Sequence, residues 1–293
     1  MKFFIKLKRD WPLYVIYLIM TLFALTCILP MLNILAVSLS DKATVMGGLV
    51  NFWPKNFNFE SYKYVLSQKS FWNSFLIAIY RVVLGCGINF ILTVLTAYPL
   101  SKSNREFKIR TAWTWFMFIT TIVSGGLIPY YILIYNVLHI NNKIWALVLP
   151  TALPVFNVVL LLNFFRTIPK ELTESAQLDG ASHFIILFAI YIPVSIAPIM
   201  TVTLFTVLSH WNSWFDGMIY MDNVTKYPLA SYLQRIIIQQ DDSFLQQIAG
   251  INNVSGETTR AAQIFVAILP ILLIYPFMQK YFEKGILVWS VKG

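Results

Sequence analysis

The chain has 293 residues, of which 58% are apolar, 16% aromatic and only 12% Asp, Glu, Lys or Arg. Soluble domains carry about 25% charged residues, so with a mean hydropathy of +0.66 there is too little polar surface to cover a globule in water. Soluble, disordered, collagen-like and disulfide-stapled chains are excluded, which leaves a membrane protein. The net charge of +9 collects at the ends of apolar runs and reports topology, not a nucleic-acid partner.

The N-terminal tail is basic (Lys2, Lys6, Lys8 and Arg9) and leads into an apolar run at 13–39. Ala36-Val37-Ser38 faintly resembles a signal-peptidase site, but a signal core is only about 7–15 residues long. The run is read as a first spanning helix, bent or interrupted at Pro30. Crossing a bilayer core takes ~20 apolar helical residues. Five more stretches are long enough, at 71–100, 111–138, 144–165, 194–221 and 261–282. Their apolar character is continuous, not alternating, and lipid offers the backbone no hydrogen bonds, so these are helices and not barrel strands. The expected fold is an all-α polytopic membrane protein with six transmembrane helices, a single transmembrane domain over 1–293 and no separate soluble domain.

Lys and Arg in the connecting segments orient it. The N-terminal tail, the loops around Lys102–Arg110 and Arg166–Lys170, and the C-terminal end together hold thirteen, against eight on the other side. Both termini are therefore expected in the cytoplasm. On the outside, 40–70 is polar and aromatic, with a Phe52-Trp53-Pro54 turn. The longest polar stretch, 222–260, carries Asp241-Asp242 and the short glycosylation-like triplets at Asn223 and Asn253, which a chance match explains as well.

The chain has no G-x-x-x-x-G-K-[ST] phosphate loop, no hydrolase elbow and no zinc-binding helix. His139, His183 and His210 are isolated, and Cys27 and Cys86 lie inside apolar runs as small hydrophobes. No catalytic residue, metal site or cofactor is assigned. Two charges lie at membrane depth: Arg81 in the second run and Asp216 after Trp211-Asn212-Ser213-Trp214-Phe215. Arg81 either pairs with a carboxylate or helix-end carbonyls, or lines a substrate path; Asp216 lies there or at the interface. Asn89 and Asn212, with Asn157 and Asn163, line a cavity or bond helix to helix.

The cytoplasmic segment at 169–193 is longer than a reversal needs. Pro169 favours a helix start, Glu171 and Glu174 lie near its positive end, and Gly180 is placed to stop it. Leu172, Ser175, Ala176 and Asp179 fall at helical spacing. Pro193 and Pro198 then restrict how the next helix leaves. Such a segment is either a docking helix for a soluble partner or an ordinary reentry loop.

Its residues resemble the signature of the membrane subunits of binding-protein-dependent ABC importers: E-A-A, three residues, G, nine residues, I-x-L-P. Here Glu174-Ser175-Ala176 is followed at that spacing by Gly180 and by Ile190-Tyr191-Ile192-Pro193, with Ser175 and Ile192 as exchanges. Ser124-Gly125-Gly126-Leu127-Ile128-Pro129, the Trp211–Asp216 stretch, Tyr227-Pro228-Leu229 and the ending Ser290-Val291-Lys292-Gly293 resemble the LplC-type carbohydrate importers, relatives of the maltose-type permeases. The resemblance implies a type I importer transmembrane fold with a permease core over 71–282 and a bacterial plasma-membrane location. It also implies a non-catalytic subunit delivering an oligosaccharide from an external sugar-binding (lipo)protein. The implied partners are a second permease in a heterodimer and two ATPase subunits, or an ATPase homodimer, which bind the ATP and Mg. Glu174, Ser175, Ala176, Asp179, Gly180, Ala181, Ile190 and Pro193 would couple to the ATPase: Glu174 by pairing with a basic residue, Ala176 by filling the ATPase groove and Gly180 by permitting the turn. A self-contained secondary carrier or channel is the alternative, and it would need ionisable relays or inverted repeats that the sequence does not display.

Overall fold

The computed structural model describes the backbone of residues 2–238 and 254–290 and the side chains of 11–236 and 254–280. The readings at Asp241-Asp242 and Asn253, and the tail at 291–293, lie outside the described residues. In chain order the helices are α1 (Lys2–Ser38), α2 (Lys42–Met46), α3 (Glu60–Ser67), α4 (Lys69–Ser101), α5 (Arg110–Ile122), α6 (Leu127–Ile132), α7 (Trp145–Val148) and α8 (Val155–Phe165). There follow α9 (Lys170–Leu178), α10 (His183–Ile186), α11 (Ile192–Val194), α12 (Ile196–Asn212), α13 (Phe215–Tyr220), α14 (Leu229–Ile238) and α15 (Gly256–Ser290). No strand occurs among the described residues.

Among the described residues three helical stretches are long and apolar enough to cross a membrane alone: Trp11–Ser38, Lys69–Ser101 and Gly256–Lys280. Up to three more arise if each of three bent helix pairs is one span. Three of the six expected spans are broken by a bend. The run at 111–138 turns by 109° between α5 and α6, where Gly126 takes φ +80°, a conformation that suits glycine. The run at 144–165 bends by 46° beside Pro150 and Pro154. The run expected from 194 belongs to a helical segment that starts at His183 and bends by 84° at Ser195 before α12. Pro198 explains that corner: it has no N–H for the Val194 carbonyl and its ring crowds that group, so the helix breaks one turn earlier. No interruption occurs at Pro30. α1 passes through both Pro12 and Pro30 as one helix; losing a single ladder bond is tolerated in a long apolar helix.

The described chain divides into two compact units, Met1–Lys69 with Arg235–Leu269 and Ser70–Gln234 with Pro270–Gly293. In the first, α1 is apolar all round and exposed from Trp11 through Leu29, the surface of a helix suited to lipid. Its end is tied down by polar contacts. The Ser40 hydroxyl donates to the Ala36 carbonyl at 2.7 Å and accepts the Lys55 N–H at 3.0 Å, and Asp41 caps α2 by accepting the Thr44 N–H at 3.2 Å. α15 is opened by a reciprocal cap: Ser255 Oγ accepts the Thr258 N–H at 3.2 Å and Thr258 Oγ1 accepts the Ser255 N–H at 3.0 Å.

The second unit is centred on an apolar core in which Val94, Ala97 and Leu100 of α4 meet Val158, Leu161, Leu162 and Phe165 of α8, with Met117, Ile186, Leu187, Tyr191 and Ile199 closing around them. This core positions the residues singled out by the sequence.

Candidate functional site

α9 opens with Pro169 in an extended conformation and carries Glu171 in its first turn, near the positive end of the helix dipole. It ends in a Schellman arrangement. Gly180 takes φ +82°, the Ala181 N–H reaches the Ala176 carbonyl at 2.9 Å, and the Gly180 N–H reaches the Gln177 carbonyl at 3.0 Å. Ser182 then starts α10 by accepting the Ile185 N–H at 3.4 Å. The two arms of this corner, α9 and α10, are therefore fixed by local chemistry on either side of one left-handed glycine.

α9 has two faces. Thr173 is buried, and Ala176 is half-buried against the core together with Ala181 and Ile190. Ala176, placed by spacing on a face with Leu172, Ser175 and Asp179, thus turns towards its own protein. Glu174, Ser175, Asp179 and Gly180 point outward, as does Pro193 farther along. Leu172 and Leu178 are also exposed, Leu178 by 89%. An amphipathic nine-residue helix that leaves two leucines and two acidic side chains in the open, with Asp179 exposed at its C-cap, presents a surface rather than covering one.

Tyr191 fastens this helix to the end of α4, a role the sequence left blank because it occupies the unspecified position of I-x-L-P. Its hydroxyl accepts from Lys102 Nζ at 2.8 Å and lies 3.1 Å from the Thr173 hydroxyl. Its ring meets those of Tyr98 and Phe165 edge-on at 5.0 and 5.3 Å, and the Lys102 ammonium sits over both tyrosine rings. The Tyr98 hydroxyl lies 3.2 Å from His183 Nδ1.

Deeper in the same unit, the structure brings Arg81 and Asp216 together. Arg81 is 1% exposed. Its Nη1 donates to Asp216 Oδ1 and to the Ser213 carbonyl, each at 3.1 Å; Nη2 donates to Asp216 Oδ2 and, at 3.3 Å, to the Leu147 carbonyl. Asp216 Oδ1 also accepts the Ser213 hydroxyl at 2.9 Å and the Gly217 N–H at 2.8 Å. One ion pair thus pins α4 to α7 and to the start of α13, and it is both pairing partners named for Arg81 at once, carboxylate and helix-end carbonyls. Next to it Gly85 lets the buried His210 ring approach α4; a Cβ there would sit 2.3 Å from His210 Nε2.

Asn89 and Asn157 meet around Thr206. Asn89 Nδ2 donates to the Thr151 carbonyl at 3.2 Å, Asn157 Nδ2 donates to Thr206 Oγ1 at 3.1 Å, and Thr206 Oγ1 lies 3.4 Å from Asn89 Oδ1. They edge a cavity of about 390 Å³ that Ser209, Phe156 and Phe205 also line. Amide, hydroxyl and aromatic faces around one space are the groups that bind a polyhydroxylated molecule. Asn163 and Asn212 are exposed and take no part in it. Thr206 gave no signal in the sequence beyond being a hydroxyl in an apolar helix. Among the described residues no group of three His, Cys, Asp or Glu has the arrangement of a metal site.

No protein-family model matches the chain. It is 34% identical over 282 residues to the polygalacturonan/rhamnogalacturonan transport system permease protein YtcP of Bacillus subtilis (strain 168), covering 95% of this chain and 97% of that one. It is 36% identical over 267 residues to Protein LplC of the same organism, covering 91% and 90%. A crystal structure of a bacterial ABC transporter involved in the import of the acidic polysaccharide alginate superposes with a TM-score of 0.86 at 30% identity, over 94% of this chain and 98% of that one. A second, of an alginate ABC transporter in complex with an alginate pentasaccharide-bound periplasmic protein, shares the fold at a TM-score of 0.59 and 16% identity. A surface helix closed by a left-handed glycine, on a bundle of apolar helices that matches these proteins along nearly its whole length, places the chain in the LplC-like family of ABC importer permease subunits.

Proposed function

We propose that this permease imports an oligosaccharide delivered by an external binding protein, as one half of a heterodimeric pathway driven by two cytoplasmic ATPase subunits that bind ATP and Mg. The observation that carries the coupling part is the outward face of α9, where Glu174, Ser175 and Asp179 stand free above the left-handed Gly180. In this reading α9 seats in an ATPase groove, Glu174 pairs with a basic residue there, and Ala176, Ala181 and Ile190 carry the motion inward through their packing on the core. Pro193 and the corner at Ser195 lead that motion into α12. The three bent pairs each act as one span, giving six, with both termini in the cytoplasm as the thirteen-to-eight bias of Lys and Arg favours.

The sugar reading is supported by the polysaccharide substrates of the relatives and by the Asn89–Asn157–Thr206 cavity with its two phenylalanine rings. Asn89 lines the path; Arg81 and Asp216 hold its wall in register rather than offering free groups, and Asn212 stands at the exposed end of α12.

Affinity purification of the tagged chain tests the coupling reading. An ATPase subunit copurifies with the wild type. Glu174→Lys, which reverses a charge inside the interface, lowers that association at least roughly thirtyfold and abolishes transport. Unchanged pull-down and transport in the variant remove the docking assignment.

A further inference from the structure

Two cavities adjoin where α4, α5 and α8 reach their ends. One, of about 350 Å³, is apolar, walled by Leu95, Pro99, Phe107, Phe184 and Leu187. The other, of about 460 Å³, is basic: Lys102, Arg110, Arg166 and Lys170 line it, with Glu106 and Glu174 as its carboxylates. Lys102, Glu106 and His183 belong to both, so the two spaces meet along that line.

The basin is short of negative charge. None of its four cations is in a salt bridge among the described residues. Lys102 spends its ammonium on the Tyr191 hydroxyl and two aromatic faces, and Arg166 donates to the Leu100 carbonyl at 3.4 Å. Burial lowers the Arg166 pKa, and the charge of Arg110 lowers it further. Two guanidinium groups therefore repel each other across a polar space. α4 ends at Ser101, α5 begins at Arg110 and α8 ends at Phe165, so in the six-span reading proposed above, on which this inference rests, the two cavities lie at the level of lipid headgroups. Basic pockets at this depth between helices suit anionic headgroups.

We propose that the composite cleft holds an anionic phospholipid, with its phosphate-bearing headgroup among Lys102, Arg110, Arg166 and Lys170 and an acyl chain along Leu95, Pro99, Phe184 and Leu187. A free anion uses only the basin and a neutral lipid only the groove. An anionic lipid uses both and matches the charge of one with the apolar wall of the other. Lys170 and Glu174 belong to α9, so the bound headgroup touches the surface helix directly.

The test reconstitutes the full chain, with whatever subunits copurify, in nanodiscs holding equal phosphatidylglycerol and phosphatidylcholine of identical chains. Lipid retained after mild detergent extraction is then counted by native mass spectrometry. The wild type retains phosphatidylglycerol preferentially. Arg110→Gln with Arg166→Gln removes two charges and weakens that retention about fivefold per charge, roughly twenty-five-fold together. Lys170→Gln, at an exposed side chain, gives the single fivefold step if the arginine pair proves necessary for folding. Phe184→Ala, at a side chain 67% exposed, lowers retention of the lipid without altering the charge of the basin. Inorganic phosphate added at the same concentration leaves the lipid in place. Equal retention of the two lipids, retention unchanged by the charge variants, or displacement by phosphate alone overturns the proposal.

Discussion

The outward face of α9 and the buried cluster around Arg81 treat polar residues in opposite ways. On α9, Glu174, Ser175 and Asp179 face solvent beside two exposed leucines. Around Arg81, every charged oxygen and most guanidinium nitrogens are engaged: four donor contacts leave Arg81, and Asp216 accepts two more from Ser213 and Gly217. A polar group at depth has no water to fall back on and is kept only where the chain satisfies it. A polar group on the surface needs no internal partner, so a cluster of them with exposed apolar neighbours is available to another protein. The buried cluster holds its helices together, whereas the α9 face is left open to a partner, and substitutions should separate the two.

The largest effect is expected at the buried pair. Arg81→Leu strands Asp216 without its cation and should cost about 3–5 kcal/mol, a large part of the 5–15 kcal/mol that keeps a typical domain folded. Yield of folded protein and the thermal midpoint in detergent should both fall. Arg81→Leu combined with Asp216→Leu should recover most of the loss, since removing both partners leaves no uncompensated charge. Glu174→Lys should leave the midpoint unmoved. If it lowers stability as much as Arg81→Leu does, the contrast between the two regions is wrong.

A smaller effect is expected at the end of α9. A Cβ at Gly180 meets nothing within 4 Å, so the cost of a side chain there is the backbone alone, about 1–2 kcal/mol for φ +82°. Gly180→Val should loosen the corner and reduce ATP-dependent transport. Gly180→Asn, which tolerates the left-handed region, should fall between. Transport that ranks Gly above Asn above Val supports a corner that must hold its angle; indifference to all three would make the glycine a mere helix stop.

Much of the bundle is legible from composition because lipid imposes it: a chain this apolar has to form helices about as long as the bilayer is thick. The breaks are less so. Val123-Ser124-Gly125-Gly126 and Ala152-Leu153-Pro154 carry no charge to divide an apolar run, and glycine or proline there permits a break without requiring one; the backbone conformation, as at Gly126, tells a bent pair from a span. Pro198 restricts how its helix leaves, and the corner falls just before it at Ser195, whereas α1 is not interrupted at Pro30. Glu174 and Gly180 were readable because a motif fixes their spacing. The partner of Arg81 was not, since 135 residues separate it from Asp216 and no local pattern links them. Thr206 and Tyr191 were missed for a related reason: each acts by where it sits in three dimensions, and neither type is unusual at its place in the sequence.

Tyr191 makes the smallest and most discriminating prediction, because it belongs to both regions at once. It is buried like Arg81, yet it holds α9 from behind. Tyr191→Phe keeps the edge-on ring packing on Tyr98 and Phe165 and the cation–π contact with Lys102, and loses only the hydroxyl that joins Lys102 to Thr173. The Lys102 ammonium keeps both aromatic faces, so the net loss is that of one hydrogen bond, about 0.5–1.5 kcal/mol, and the thermal midpoint should shift by a few degrees at most. The purified complex should keep its ATPase subunit and hydrolyse ATP, but transport per ATP should fall, because α9 is no longer tied to the end of α4. Tyr98→Phe supplies the contrast: it loses the contact with His183 and leaves the Lys102–Tyr191–Thr173 chain whole, so transport per ATP should hold. Equal losses in the two variants would mean that this corner only packs, and that the force from α9 enters the bundle elsewhere.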